Sequence, residues 1–386
     1  MNKIRLIILN PYDSLEVYEH RPMQEAKYFY DQGKDVEVLA LQRKVIGKGT
    51  VENTIEGIPV KHFLCKSSRM NLLLNENKAV QVFRPIIYAN WFLKFVVWLR
   101  KQLREEGEKE KICLIAHNLE MAFAACLINR MHRFSVVFVM RELYEGQTTN
   151  KLKGYFLRKI SRWVQNRSDT LVQVVPAQRS MTQEKNRKKI LYIPNYPEVA
   201  NYLNVIHTQS DKLRINYIGS VRDAKSLKML MEAAKGLEEI EIGIHGMGQA
   251  YEELKVLEKQ FENVKITGYY DYQTMTEELF SNTDILFCAY NIEIPNWKIA
   301  YPIKLYEAIE SGIPVLICRG MAPEKLVQEN DCGYIFDYNV NALRNTLIAI
   351  QTDKSTYERK RKNMERIKGR YTWDKVVREY NKVFSR

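Results

Sequence analysis

Short apolar runs alternate with amphipathic stretches along all 386 residues of the chain. The runs are IRLIIL, VEVLAL, KICLIAH, SVVFVM, TLVQVV and KILYIP in the first half, then RINYIG, IEIGIHG, VKITG, DILFCAY and PVLIC. Between them, apolar residues recur at helical spacing over 22–32, 119–130, 224–236 and 250–260. Runs this short predict buried strands, and strands alternating with helices predict parallel sheets covered on both faces. The β-α-β-α order occurs twice. Residues 196–211, YPEVANYLNVIHTQSD, carry turn formers and no period, which marks a boundary. The fold class expected is α/β, with two Rossmann-like lobes facing across a cleft.

A chain of this length exceeds one ordinary core and fits two domains. Its 59 Lys and Arg against 46 Asp and Glu give +13, which calls for an anionic partner: phosphate, nucleic acid or an anionic membrane surface. The positive stretches lack an RNP-like or zinc-finger context, so no nucleic acid is expected. Six cysteines, at 65, 113, 126, 288, 318 and 332, show no CxxC spacing, and six histidines show no HExxH. No metal site or disulfide framework is therefore expected. Cys113 and Cys318 lie inside apolar runs, where a thiol acts as a small core residue, and a reducing cytoplasm fits. The first apolar run stops at Asn10 and Pro11, too short for a secretory or membrane-spanning segment, and reads as a first strand.

Two stretches stand apart. Residues 151–190 hold eleven Lys or Arg against Asp169 and Glu184, a surplus of nine positive charges. Residues 83–104, FRPIIYANWFLKFVVWLRKQLR, form an aromatic helix pattern interrupted by Asn90 and Lys94, too short in its apolar part to span a bilayer. Both suit an anionic membrane surface, with aromatic groups at the boundary and cations on lipid phosphates. A solvated face and a buried core helix explain them equally well.

In open α/β sheets ligands bind where strands end, so the chemistry is sought there. In PIKLYEAIESGIPVL, residues 302–316, Leu305, Ala308 and Ile309 share one helix face, and Lys304, Glu307 and Ser311 share another. The apolar side is expected on the sheet, with Glu307 facing away. Pro302 opens the helix and leaves N–H groups free for an anion, while Gly312 can take the left-handed conformation that ends it. A carboxylate one turn in can hold a sugar's vicinal hydroxyls, and phosphate plus diol describes a nucleotide. Taken alone, the stretch is better explained by Glu307 pairing with Lys304 or offsetting the helix dipole. Gly219, Arg222 and Lys225 shift that balance, as a glycine turn with two cations before a helix outlines a diphosphate clamp. Gly246 and Gly248 make a second turn where backbone approaches closely.

This order resembles the C-terminal lobe of GT-B glycosyltransferases of family four, the retaining, sugar-nucleotide-dependent class. The matching stretches are Gly219 to Lys225, Gly246 to Leu254, Val264 to Gly268, Thr283 to Leu286 and Pro302 to Val315, the last being the most specific. In the first lobe, Arg141-Glu142-Leu143-Tyr144 resembles the family's His-Glu-Leu-Phe, and Pro197 its interlobe turn. Tyr371-Thr372-Trp373-Asp374 resembles the start of its last helix. The resemblance implies an acceptor lobe over 1–196, a nucleotide-sugar lobe over 212–370 and a helix, 371–386, returning to the first lobe. It implies donor binding by Gly219, Arg222, Lys225, Gly246, Gly248, Gly268, Lys304, Leu305 and Glu307, with Arg222 and Lys225 on the diphosphate and Glu307 on the ribose. His117 matches the histidine that faces the donor sugar across the cleft, so His117, Arg222 and Lys225 form the catalytic set. Arg141 and Glu142 fall on the acceptor side.

The reaction implied is sugar transfer from a nucleotide sugar, a UDP-sugar first, to a glycan or lipid-linked acceptor in bacterial surface polysaccharide synthesis. It would proceed with retention, with no metal and no cofactor besides the donor, in the cytoplasm or at the inner face of the cell membrane. Ile299 stands where many members carry a second glutamate, which subfamilies with this Pro-x-Lys-Leu-x-Glu form often lack, so inactivity is not implied; Arg141 replaces the family's histidine and Val139 its aspartate, which leaves sugar and acceptor open. A sugar-nucleotide epimerase of the same architecture, or a non-catalytic glycosyltransferase-like subunit, would share the fold.

Overall fold

The computed structural model describes residues 3–10, 15, 20–43, 45, 47–66, 84–105, 112–129, 134–142 and 151–384. Pro11, Phe83, Leu143 and Tyr144 lie outside them. Two compact units divide the chain: Met1–Pro194 together with Val377–Arg386, and Asn195–Val376.

The first unit runs β1 (Lys3–Asn10), α1 (His20–Asp31), β2 (Asp35–Gln42), β3 (Gly47–Ile55), β4 (Ile58–Lys66) and α2 (Arg84–Glu105). It continues with β5 (Ile112–His117), α3 (Asn118–Ile128), β6 (Phe134–Met140), α4 (Lys151–Arg167), β7 (Thr170–Gln173), the single turn α5 (Gln178–Met181) and β8 (Ile190–Tyr192). The sheet order is β3-β4-β2-β1-β5-β6-β7-β8, parallel except for the β3–β4 hairpin. The apolar runs form its centre: Ile7 pairs with Leu39 on one side and Ala116 on the other, and all three are fully buried. Strand order reverses between β1 and β5, so the end of β5, where His117 sits, is the switch point at which such sheets bind ligands.

Helix α2 divides the two readings of the aromatic stretch by face. Trp91, Phe95, Trp98, Leu99 and Leu103 are buried in the core, each contributing about 1.5–3 kcal/mol of burial. On the outer side Leu93 and Val97 are 59% and 70% exposed.

The second unit runs β9 (Leu213–Ile218), α6 (Ala224–Ala234), β10 (Ile240–His245), α7 (Tyr251–Leu257), β11 (Val264–Gly268), α8 (Tyr272–Ser281) and β12 (Ile285–Phe287). It continues with α9 (Pro295–Lys298), α10 (Ile303–Ser311), β13 (Val315–Cys318), α11 (Glu324–Asn330), β14 (Gly333–Phe336), α12 (Val340–Thr352) and α13 (Lys354–Ile367). Its sheet, β11-β10-β9-β12-β13-β14, is parallel throughout. The switch point here lies between β9 and β12.

Helix α10 departs from the one-sided packing that its sequence suggests. Every residue from Lys304 to Ser311 is buried, because the helix packs on β12 while α13 and the turn at Val199–Tyr202 cover it from other sides. Glu307 therefore faces protein, not open solvent. Gly312 ends the helix at φ 72, as its position predicts.

Candidate functional site

In the second unit, two strand–helix turns lock against each other. Gly246, at φ 137, and Gly248 bring the β10–α7 turn onto the β9–α6 turn. A Cβ added at Gly246 would meet the Gly219 carbonyl oxygen at 1.9 Å, and one at Gly248 would meet the Val221 carbonyl oxygen at 2.1 Å. Val221 N–H donates to the Met247 carbonyl at 3.0 Å, and Ala250 N–H to the Val221 carbonyl at 3.1 Å. These glycines are required first by backbone packing, which fixes the surface that follows β9.

Asp223, which the sequence reading passed over, ties that surface to the other side of the switch point. Buried at the N-cap of α6, its carboxylate accepts from Ser226 N–H at 3.1 Å, the Ser226 hydroxyl at 2.6 Å and Asn291 N–H, beyond β12, at 2.7 Å. An aspartate three residues before a serine at a helix start was the available signal. Arg222 beside it is exposed, its Nε donating to the Ser220 hydroxyl at 2.9 Å. Lys225 reaches across to Glu293 at 2.6 Å and holds that carboxyl below its usual range.

Lys304 approaches from α10. Its side-chain nitrogen lies 3.2 Å from the Tyr217 ring centroid, and a Cβ at Gly219 would sit 3.5 Å from it. The Lys304 nitrogen is buried, and no oxygen of the described residues accepts a hydrogen bond from it. Glu307 is thus not its hydrogen-bonded partner; that carboxylate instead accepts from the Tyr272 hydroxyl at 3.0 Å, and the Tyr202 and Tyr272 hydroxyls lie 2.7 Å apart. No side chain caps the N-terminus of α10. Leu305 is a core residue with no exposure, and Gly268 sits at φ 78 at the end of β11.

In the first unit, His117 is fully buried at the end of β5, with Nε2 3.0 Å from Glu25 Oε2. Burial pushes the Glu25 carboxyl up, but the adjacent Arg21 and then His117 outweigh it and hold it at about 2. Arg21 also donates to the Pro194 carbonyl at 3.0 Å, and the Tyr380 hydroxyl, raised well above its usual value by burial and by Glu25, completes the cluster. Asn118, next after His117, takes the left-handed φ of 71, a strained position of the kind found beside functional groups. Arg141 and Glu142 follow β6 directly, half-buried and exposed. His117, Arg141, Gly219, Gly246 and Gly268 thus lie at or just after strand ends within their own units, while Lys304, Leu305 and Glu307 lie on α10. Among the described residues, no three His, Cys, Asp or Glu side chains are gathered to hold a metal ion.

Residues 182–367 match the glycosyl transferases group 1 family. No curated protein matches the chain by sequence. Among solved structures, sucrose-phosphate synthase from Thermosynechococcus elongatus is similar at a TM-score of 0.72 and 12% identity, covering 100% of this chain and 98% of that one. The Anabaena protein HepE in complex with UDP and glucose follows at 0.69 and 12%, with 99% of each chain covered. WaaG, a glycosyltransferase involved in lipopolysaccharide biosynthesis, is similar at 0.65 and 12%, covering 98% of this chain and 99% of its own. Residues 182–367 thus form a glycosyl transferases group 1 segment, and the chain shares the two-domain GT-B fold of these structures from end to end.

Proposed function

We propose that the chain moves a hexosyl group from a nucleotide sugar, a UDP-sugar first, to a glycan or lipid-linked acceptor, with retention and without a metal. The observation that carries this reading is the switch point of the second unit. There a buried lysine, Lys304, two exposed cations, Arg222 and Lys225, and a buried carboxylate, Glu307, gather around the ends of β9 and β12. HepE, on a similar fold, is seen with UDP and glucose, which supports it.

When the bond between the sugar's anomeric carbon and the diphosphate breaks, the electron pair stays on the phosphate oxygen. Arg222, Lys225, Lys304 and the uncapped amides of α10 meet that growing charge from fixed positions, which favours the transition state over the bound donor. Glu307, held by Tyr272, takes the ribose hydroxyls. His117, held by Glu25, is the group this reading turns toward the donor sugar, and Arg141 and Glu142 belong to the acceptor.

The reading extends to an anionic membrane surface at the cytoplasmic face, in surface polysaccharide synthesis, as the place where the acceptor is met. Helix α4 carries no acidic residue, and Leu152, Tyr155, Phe156 and Lys159 follow one face at i, i+3, i+4 and i+7. Leu152, Tyr155 and Phe156 are 66%, 49% and 55% exposed, with exposed Lys153, Arg158 and Arg162 around them. Aromatic groups inside a rim of cations suit a lipid boundary. Lys189, from the same basic stretch, serves α4 itself, donating to the Asn166 and Ser168 carbonyls at 3.2 and 2.8 Å. Among the described residues no helix is long and apolar enough to cross a membrane.

Incubation of the purified chain with a panel of nucleotide sugars, following release of nucleoside diphosphate, tests the proposal. Slow hydrolysis of one donor, accelerated by an acceptor, is the expected result. A folded protein that neither turns over nor binds any of them would refute it, and acceptor-independent release with epimerised free sugar would favour the epimerase.

A further inference from the structure

Lys304 places a basic group against the Tyr217 ring face, where no oxygen of the described residues accepts a hydrogen bond from it. An ammonium carries three donors, and stripping its water without supplying acceptors disfavours the charged form. Its surroundings are Tyr217 of β9 at 3.2 Å and Tyr290, beyond β12, at 5.7 Å from the ring centroids, with Cys288 beside them. Glu307 lies along its own helix and Arg222 on the β9–α6 turn. Burial raises the Tyr217 and Tyr290 hydroxyls well above their usual values and the Cys288 thiol to about 12, so all three stay neutral near pH 8. Of the two formal charges that remain, the Glu307 carboxylate is engaged by Tyr272 and Arg222 has the same sign as an ammonium. Burial lowers Lys304 most, Cys288 and Glu307 oppose it, Arg222 adds to it, and the group ends at about 7.

We propose that donor binding is coupled to proton uptake: Lys304 is a neutral amine in the nucleotide-free protein and becomes an ammonium when a nucleoside diphosphate settles beside Gly219. The proposal rests on the reading of the second unit as the donor site. The proton comes from solvent or buffer, the amine lone pair accepts it, and no bond to the nucleotide forms. Diphosphate oxygens supply the acceptors that the protein withholds, and their negative charge favours the ammonium against Arg222. The empty site thereby avoids a buried ammonium with a second cation nearby. The loaded site carries an extra positive charge where the leaving diphosphate gains its negative one, and product release returns the proton.

The test is calorimetric titration of UDP, with GDP and ADP alongside, into the full chain at pH 8. Buffers of low and high ionisation enthalpy are compared. At pH 8 the terminal phosphate of these nucleotides is already largely ionised and has little proton to give up. The slope of observed binding enthalpy against buffer ionisation enthalpy counts protons. With Lys304 at about 7, roughly nine-tenths of it is neutral at this pH, so the slope should approach one proton taken up per nucleotide. Affinity should also fall nearly tenfold between pH 8 and pH 9. Lys304→Met keeps the apolar stem in a buried position and should fold, bind more weakly and show no slope. Lys304→Arg, always charged, should also show none. A wild-type slope of zero, or the same slope in Lys304→Met, overturns the coupling while leaving the donor site in place. Failure of the folded wild-type chain to bind any of the nucleotides overturns the donor-site reading itself.

Discussion

Replacing Glu307 with alanine separates recognition of a diol from general damage to the site. The carboxylate is 5% exposed and fixed by the Tyr272 hydroxyl at 3.0 Å, so on the proposed reading it would meet a ribose already oriented. A hydrogen bond to such a charged group contributes about 1.5–3 kcal/mol, which converts to roughly a 10- to 150-fold loss in affinity. The fold should survive. Tyr272 keeps the Tyr202 hydroxyl at 2.7 Å as a partner, and losing its bond to Glu307 costs about 1 kcal/mol of stability, visible as a modest fall in Tm. The assay is a cycle: wild type and Glu307→Ala, each titrated with UDP and with its 2′,3′-dideoxy analogue. Wild type should prefer UDP by the full amount, and the variant should bind both nucleotides alike. A variant that loses the same affinity for both, or a wild type that does not distinguish them, would remove Glu307 from the ribose.

Arg222→Ala should lower kcat more than it raises the Kd for UDP, because the charge it meets grows during bond cleavage; steady-state rates beside titrations check this. Activity measured after exhaustive chelation should persist, and a strict divalent-cation requirement would contradict the charge assignment above. Glu25 is held at about 2 against an ordinary 4.5, so its contribution is complete above pH 4.5 and lost as pH falls toward 2, about 3 kcal/mol in all. Urea unfolding followed from pH 6 to pH 2 should therefore fall less steeply in Glu25→Gln than in wild type. Phe156→Ser with Lys159→Gln and Arg162→Gln should release the chain from anionic vesicles at low salt while donor hydrolysis continues, since each cation near the surface contributes about 1 kcal/mol. Sedimentation unchanged by the triple substitution would take α4 off the membrane.

The strands were legible because continuous apolar runs between polar turns fit strands covered on both faces, and every such run became one. What escaped has local causes. Strand β3, GKGTVENTI, is mostly polar and mostly uncovered, so no apolar run announces it. Its turn to β4 places Glu56 and Gly57 at φ 50 and 83, the twist a two-residue hairpin needs, but glutamate at a left-handed position does not read as one. Strand β14, GYIF, has Tyr334 and Ile335 only half-buried and no extended apolar run to announce it. The Glu25–His117 contact joins residues far apart in sequence, on elements that meet only once β1 and β5 lie side by side. No spacing could announce it.

At the proposed donor site the sequence supplied positions but not burial, and the reason lies in the neighbours of α10. A helical wheel assumes one covered face and one wet face, which holds for α4, where cations and exposed aromatics share the outer side. Helix α10 is enclosed by β12, α13 and the Val199–Tyr202 turn, none of which its own residues encode. Inside that enclosure each polar side chain must be met by a partner or lose its charge. Glu307 has Tyr272, and Glu310 accepts from Gly369 N–H at 2.9 Å. Lys304 has an aromatic face and, among the described residues, no acceptor, so the same packing that hides it from a wheel lowers its proton affinity. A group in that condition is stabilised most by whatever brings oxygen atoms and negative charge to it. On the proposed donor-site reading, Lys304, which the sequence sets on one helix face with Glu307, is where diphosphate oxygens would restore the missing acceptors.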